Sequence, residues 1–449
     1  MNAREVALEV LIQWEEREGY SNLLLREALE QSGLNIRDRG LTTELVYGTI
    51  QRRNTLDWVL NQLLRQDLGD LDSWLRQLLR LGVYQLRFLD KIPPRAAVHE
   101  TVQMAKNRGH QGTASLVNGV LRSYLRREME WKLPEKPETI REWALVYSHP
   151  KWLIKRFIHV YGEEEARQML EAHNQPPKVS LRTNPLKISR EALIRDLSNI
   201  FPEADIQASS VSDQGIVMEG GGNPTSTEEY RQGYFSIQDE SSMLVAQVVS
   251  PRPGQRGVDA CAAPGGKATH LVELMKDQGQ LIAYDIHPHK VKLIRESACR
   301  LGLSALQGET GDARRFSESL YKTCDFVLLD APCSGLGVIR RKPDIKWRKT
   351  AQQIEEILPL QAELLRSAAK LVKPGGTLVY STCTLDPREN EEMVASFLAS
   401  HRDFRPDPCF SDYLPDLVQQ RGLFQGAGIQ ILPHHFQSDG FYIARLIRV

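Results

Sequence analysis

Long apolar runs are missing from this chain. No stretch of its 449 residues approaches the ~18 consecutive apolar residues that a membrane-spanning helix needs. A hydrophobic fraction of 41% suits ordinary soluble cores. The segment MNAREVALEVLIQW breaks up its apolar residues with charge and so lacks the continuous core of a signal peptide. A soluble, cytoplasmic protein with no membrane partner is expected. An excess of either charge is missing too. Basic and acidic side chains number 57 each, which removes the overall basic signature of many nucleic-acid binders. Cysteine is sparse. The six cysteines, at 261, 299, 324, 333, 383 and 409, form no C-x-x-C pair. That spacing suits neither zinc nor a disulfide scaffold, so no metal is expected. In a cytosolic chain these thiols stay reduced. Internal repeats and low-complexity tracts are also absent.

What is present is a change of period along the chain. Up to about residue 128, apolar residues recur at helical spacing, as in Leu56, Val59, Leu60, Leu63 and Leu64. Leu116, Val117, Val120, Leu121, Tyr124 and Leu125 repeat the pattern. An all-α domain over 1–130 is expected. It holds 16 Arg, 2 Lys and 17 acids, a composition open to forked phosphate contacts or to a solvated helical surface. KLPEKPET reads as part of a linker over 131–145. Residues 146–239 read as helical, then as a small α/β subdomain. From 240 to 449 strands alternate with helices: RGVDACA, QLIAYDI, CDFVLLD and GTLVYST are the strands. That alternation predicts an α/β Rossmann-like domain with a mostly parallel, doubly wound sheet. Ligands of such sheets bind beyond the C-terminal strand ends.

The first strand of that domain runs into DACAAPGGKATHL. Glycines there let backbone amides approach a ligand closely. The motif is not G-x-G-x-x-G, which argues against a nicotinamide dehydrogenase, and it is not a P-loop. Asp285 ends the next strand, where a carboxylate can accept both hydroxyls of a ribose. Asp312 follows the third strand and can meet an adenine amine. A nucleoside site without a phosphate cradle points to S-adenosylmethionine.

Two cysteines, Cys333 in DAPCSG and Cys383 in VYSTCT, each follow a strand. Thiolate is a strong nucleophile. Added to carbon 6 of cytosine, it turns carbon 5 into a nucleophile that can accept a methyl group. An acid near N3 helps as the ring gains charge. A base or second thiol helps the adduct break down. Asp330, Cys333 and Cys383 supply that set.

DACAAPGGK, DAPCSGLGVIRRKPDIKW and STCTLDPRENEE together resemble the RNA cytosine-C5 methyltransferases, the NOL1/NOP2/Sun group. DRGLTTELVYGTIQRRNTLDWVL and ASLVNGVLR resemble the NusB-like domain of its bacterial ribosomal RNA members. The resemblance covers nearly the whole chain. It implies a NusB-like helical RNA-binding domain, a small RRM-like subdomain and a class I methyltransferase domain. It implies 5-methylcytidine formation in small-subunit (16S) ribosomal RNA by a monomeric enzyme. The implied target is cytosine 967, which the residues themselves do not identify. It also implies Cys383 as nucleophile, Cys333 as the residue of product release, and Asp330 at cytosine N3. The implied cofactor residues are Cys261, Ala262, Ala263, Pro264, Gly265, Gly266, Lys267, Asp285, Asp312 and Asp330. Ala268 stands where the family pattern has Thr. DNA cytosine methyltransferases use the Pro-Cys cysteine instead, with an ENV segment that is absent here.

VIRRKPDIKWRKT mixes six basic residues with a tryptophan directly after the PCSG turn. Arg340, Arg341, Lys342, Lys346 and Trp347 are therefore candidate RNA contacts. Arg182 and Asn184 in SLRTNPLK are two more, with a turn-stabilising role as the alternative for Asn184. Asp239 reads as a helix cap, and His434 and His435 read as surface residues. Two other readings stay open: the same chemistry on transfer RNA or another ribosomal RNA, and a non-catalytic RNA-binding assembly or antitermination factor.

Overall fold

The structure, a computed structural model, describes residues 1–17 and 19–449, apart from the side chains of 128 and 129. It divides into two compact units. One comprises residues 1–174 with 341–348; the other comprises 175–340 with 349–449. Among the described residues no helix is long and apolar enough to cross a membrane.

The first unit is helical, as its 3.6-residue periodicity predicts. Its helices include Ala3–Glu16, Ile36–Gln51, Arg53–Leu63, Ser73–Phe88 and Gln111–Arg126. Leu11, Leu45, Leu56, Val59, Leu78, Val117 and Leu121 make a closed apolar core. Leu116 alone of its expected stripe is exposed. Asn2 and Glu5 form a reciprocal capping box that starts the first helix. Arginine is used inside as well as outside. Arg80 is buried, forks onto Asp57 at 2.6 and 2.9 Å, and reaches Glu15 at 3.1 Å. The expected linker is partly built into this unit. Trp131 is buried and stacks on Tyr124, and a helix forms at Ile140–Val146. Helices Lys151–Tyr161 and Glu163–His173 also belong here rather than with the small sheet.

Residues 341–348 complete the helical unit. Lys346 Nζ donates to the Gln51 carbonyl at 2.9 Å, and Trp347 Nε1 donates to that of Ile50 at 2.7 Å. Arg348 donates to the Trp14 carbonyl at 2.7 Å, and the Ser21 hydroxyl donates to Asp344 at 2.7 Å. The first three donors meet carbonyls in the last turns of helices, where intrahelical donors run out. Lys346 is fully buried, and burial with the Arg52 charge nearby pulls its pKa well below the usual lysine range. The RNA contact expected of Lys346 is thus corrected, while Trp347 is half-buried with its indole N–H committed to Ile50: a run of basic residues does not reveal which way it faces.

In the second unit, β1 (Val179–Thr183), β2 (Asp205–Ala208), β3 (Gly215–Glu219) and β4 (Phe235–Ile237) form a small antiparallel sheet ordered β2-β3-β1-β4. Helix Arg190–Ile200 packs its Leu193 and Leu197 against Leu181, Ile216 and Phe235 of this sheet. The larger sheet carries the expected parallel strands: β5 (Arg256–Asp259), β6 (Gln280–Asp285), β7 (Leu306–Thr310), β8 (Cys324–Asp330) and β9 (Val372–Thr382). Four further strands extend it antiparallel: β10 (Phe404–Pro406), β11 (Leu423–Gln425), β12 (Gly428–Ile431) and β13 (Phe441–Arg448). The order is β11-β12-β13-β9-β8-β5-β6-β7, with β10 also on β13. The parallel part follows expectation; the antiparallel extension makes the sheet mixed.

Replacing Trp347 by Ala removes an indole hydrogen bond and ring packing from the helical core, including the Arg53 guanidinium 5.5 Å from the ring. A loss of about 2–3 kcal/mol is expected, measured by urea unfolding of the full chain.

Candidate active site

Strands β5 and β8 lie side by side at the centre of the large sheet. From β5 the chain winds outward through β6 and β7; from β8 it winds the other way to β9. That reversal opens a crevice at the C-terminal strand ends. A cavity of about 550 Å³ lies there, and Cys261, Ala263, Asp285, Asp312, Asp330, Cys333 and Cys383 line it.

The loop after β5 turns tightly. Ala262 N–H donates to the Tyr284 carbonyl at 2.8 Å, and Gly265 N–H to that of Ala262 at 2.7 Å. Gly265 has φ +107°, and a Cβ there would lie 3.2 Å from the Ile294 backbone. Only glycine suits both demands. Helix Gly266–Leu274 starts at once and brings Lys267 round to Asp330. Lys267 Nζ lies 2.7 Å from Asp330 Oδ2 and 4.8 Å from the centre of the Phe441 ring. Burial disfavours its charge, yet the Asp330 carboxylate more than offsets this and raises its pKa. The Ser381 hydroxyl donates to the other Asp330 oxygen at 2.8 Å. Asp330 is thereby fixed on both sides.

At the rim, Asp285 accepts from the His287 backbone N–H at 2.9 Å. Asp312 is gripped by the Arg314 guanidinium, whose hydrogen bonds lower its pKa. Beneath the loop lies fully buried Asp259, which sequence reasoning passed over. Burial, then the Asp330 charge, pushes its pKa up to about 7 against the pull of Lys267. Burial with the Asp259 charge also raises the Cys261 thiol, which stays protonated at neutral pH.

The two remaining thiols meet. Cys333 Sγ and Cys383 Sγ are 3.4 Å apart, both partly exposed in the cavity wall. Their approach follows from strand register. Parallel β8 and β9 pair Asp330 with Ser381, and Ala331 N–H donates to the Ser381 carbonyl at 2.8 Å. Each cysteine then lies two or three residues beyond the last pair. Gly337 closes the loop: its N–H donates to the Cys383 carbonyl at 2.9 Å. A Cβ on Gly337 would lie 2.1 Å from the Gly440 carbonyl oxygen. The hydrogen bond with Cys383, then burial, holds the Cys333 thiol well above its ordinary pKa.

Three parts of the sequence match known families. Residues 246–447 match 16S rRNA methyltransferase RsmB/F, 1–126 match the NusB family, and 149–224 match the RsmF/B-like ferredoxin-like domain. The chain is 44% identical to the probable ribosomal RNA small subunit methyltransferase B of Bacillus subtilis, over 99% of this chain and 98% of that one. The chain belongs to the ribosomal RNA small subunit methyltransferase B family. A Synechocystis protein of the same name is 39% identical over 99% of both chains. Among solved structures, a methyltransferase homologue from Pyrococcus horikoshii superposes with TM-score 0.58 at 27% identity, covering 70% of this chain and 100% of its own.

Membership of the methyltransferase B family does not make every basic residue an RNA contact. Arg182 is fully buried. It forks onto Glu273 at 2.9 Å twice, donates to the Gly266 carbonyl at 2.6 Å and to the Thr269 hydroxyl at 3.0 Å, and also meets Gln238. It ties β1 to the start of the helix that carries Lys267. Asn184 is buried and holds a turn, accepting from Leu186 N–H at 3.1 Å and donating to the Gly233 carbonyl at 3.1 Å. Arg340 is buried and donates to the Gln175, Pro176 and Gln437 carbonyls. The RNA contacts expected of Arg182, Asn184 and Arg340 are therefore corrected to structural roles. Of that set, Lys342 is exposed and Arg341 half-buried. Asp239 caps its helix, accepting from Ser241 N–H at 3.0 Å. His435, expected at the surface, is buried beside Phe436, and Leu432 N–H donates to its ring at 3.3 Å.

Arg182→Ala strands the Glu273 carboxylate in the interior and is expected to cost about 3–5 kcal/mol. Arg182→Met with Glu273→Leu removes both charges and should recover most of that in the same denaturant titration.

Asp259 supplies a pH test. Its folded pKa is above the unfolded value, so its contribution to stability is full at low pH and is lost as pH rises from about 4 towards 7. Asp259→Asn does not titrate. From pH 5 to pH 8 its stability should gain on the parent's by on the order of 2–3 kcal/mol, read from urea midpoints at the two pH values.

Proposed function

We propose that this chain methylates carbon 5 of a cytosine in small-subunit ribosomal RNA through a transient bond from Cys383 to carbon 6, with S-adenosylmethionine as donor. The observation that carries this reading is the pair of thiols 3.4 Å apart in one cavity with a doubly anchored Asp330. The target we propose is the cytosine numbered 967, on the strength of the family. The family resemblance implies action as a monomer, and the ribosomal target implies the cytoplasm.

The cavity suits the donor. It offers a carboxylate at the end of β6 for ribose hydroxyls, a glycine turn for close backbone approach, and no phosphate cradle. Cys261 to Gly266, Asp285, Asp312 and Asp330 would hold it, with Asp312 exchanging Arg314 for the adenine amine. S-adenosylmethionine supplies an electrophilic methyl group on a sulfonium. Cys383 supplies electrons: its sulfur bonds to carbon 6 and the ring's electron pair moves towards carbon 5. Asp330, steadied by Lys267 and Ser381, holds the N3 edge as the ring gains charge. Once the methyl group is in place, carbon 5 gives up its proton to solvent water, the electrons of that carbon–hydrogen bond restore the carbon 5–carbon 6 double bond, and the Cys383 sulfur leaves carbon 6 as thiolate. Cys333 assists this last stage. Its sulfur, 3.4 Å from that of Cys383, lies within reach of the adduct.

The chain incubated with small-subunit RNA and labelled S-adenosylmethionine should yield labelled 5-methylcytidine by mass spectrometry of nucleosides. Cys333→Ala should accumulate a covalent RNA adduct on denaturing gels; Cys383→Ala should abolish both adduct and product. Adduct seen only with Cys383→Ala would reverse the two roles. RNA binding without any methylated nucleoside, on naked RNA and assembled subunits alike, would favour the non-catalytic assembly factor.

A further inference from the structure

The residues that directly follow the two cysteines converge on one buried carboxylate. Ser334 follows Cys333 and Thr384 follows Cys383. Ser334 N–H donates to Glu389 Oε2 at 2.9 Å, and its hydroxyl donates to Oε1 at 2.5 Å. The Thr384 hydroxyl reaches the same Oε1 at 3.1 Å and lies 2.6 Å from that of Ser334. Gln361, on helix Ala351–Ala369, donates to Oε2 at 3.0 Å and to the carbonyl of Pro332, the residue before Cys333, at 2.9 Å. Glu389 is fully buried, as are Ser334, Thr384 and Gln361.

A carboxylate that accepts from four donors is held from several directions at once. Here those directions lead to both sides of Cys333 and to the residue after Cys383. The backbone under Glu389 is fixed as well. The Tyr380 hydroxyl donates to its carbonyl at 2.7 Å, and neighbouring Asn390 accepts from Thr382 at 2.6 Å and donates to the Thr384 carbonyl at 3.2 Å. Glu389 is outside the wall of the cavity, so it has no direct access to a bound substrate there. Burying a carboxylate is costly unless its lone pairs are satisfied. The donors around Glu389 satisfy them, and the geometry they impose passes to the two thiols.

We infer that Glu389 is a positioning residue: it clips the two cysteine-bearing loops together and sets the separation of their sulfurs for the reaction. The inference rests on the reading that Cys383 attacks and Cys333 assists release. A thiol that must act on an adduct held by its neighbour has little tolerance for displacement. Burial raises the Glu389 pKa, opposed by the bonds from Ser334, Gln361 and Thr384. Glu389→Gln keeps the size of the side chain but replaces one acceptor by an NH₂ that faces donors. The clip should then open on one side.

Proximity of the thiols can be measured without RNA. In glutathione buffers the two thiols lose two hydrogens to one glutathione disulfide, forming a Cys333–Cys383 bond and two glutathione thiols. Peptide mapping of the full chain gives the effective concentration of the pair. Glu389→Gln is expected to lower it at least about ten-fold. With RNA, kcat should fall at least ten-fold while KM for RNA and donor stays within two-fold, and adduct should accumulate as in Cys333→Ala. The double variant Ser334→Ala/Thr384→Ala keeps the carboxylate and removes both hydroxyl donors; a fall of about three-fold or more is expected. An unchanged effective concentration in folded Glu389→Gln overturns the inference, whatever happens to methylation. If Glu389→Gln does not fold, an unchanged value in the double variant overturns it equally. A shifted effective concentration in a chain that methylates no RNA leaves the clip standing and removes the proposed function instead.

Discussion

The chemistry of this chain depends on the register of two parallel strands. Asp330 opposite Ser381 fixes which residues stand at the ends of β8 and β9, and the two thiols follow from that pairing. Side chains alternate along a strand, so a slip of one residue would turn Asp330 away from Lys267 and Ser381. Both strands are buried in the middle of a nine-stranded sheet. Burial on both faces makes such a slip costly, and the sheet therefore serves as a rigid gauge. Around it are ties that each cross between elements: Lys267 from the first helix, Gly337 against the Cys383 carbonyl, Arg182 from the small sheet. Together they bring a catalytic-looking carboxylate and two sulfurs to one wall.

Much of this architecture was legible in the sequence because its signals are periodic. Continuous apolar runs such as CDFVLLD and LVYST named the buried parallel strands, and helical spacing named the N-terminal unit. The antiparallel strands β10–β13 were not read. Three of these four are only three or four residues long, too short for alternation to register. The candidate site was legible where a residue type has few uses. Two cysteines after two strands, with an aspartate at the first, are what the structure brings to one cavity wall.

Basic residues misled for the opposite reason. An arginine reads alike whether it grips phosphate, a buried glutamate or helix-end carbonyls, and Arg182, Arg340 and Lys346 spend their donors on partners inside the protein. Asn184 held its alternative from the start, because asparagine is a turn residue before it is anything else. Glu389 and Asp259 escaped notice because their partners are distant in sequence or are backbone groups. Glu389 did carry a faint signal: it lies six residues beyond Cys383 in a segment dense with polar residues, yet among strands and helices that are otherwise apolar.

The helical unit is also interrupted in time. Its first 174 residues leave the ribosome early, but its last piece, Arg341–Arg348, lies beyond 166 further residues, 175 through 340. At about 5–20 residues per second, the Gln51 and Ile50 carbonyls wait on the order of 15–60 s for Lys346 and Trp347 to be made. Through that interval the unit is incomplete, with helix ends and part of its core open to water or to other proteins. By the time the segment arrives, β5 to β8 have been synthesised. Completion of the N-terminal unit is thus scheduled by synthesis of the catalytic sheet, and a fragment cut after residue 174 would remain in the unfinished state for good.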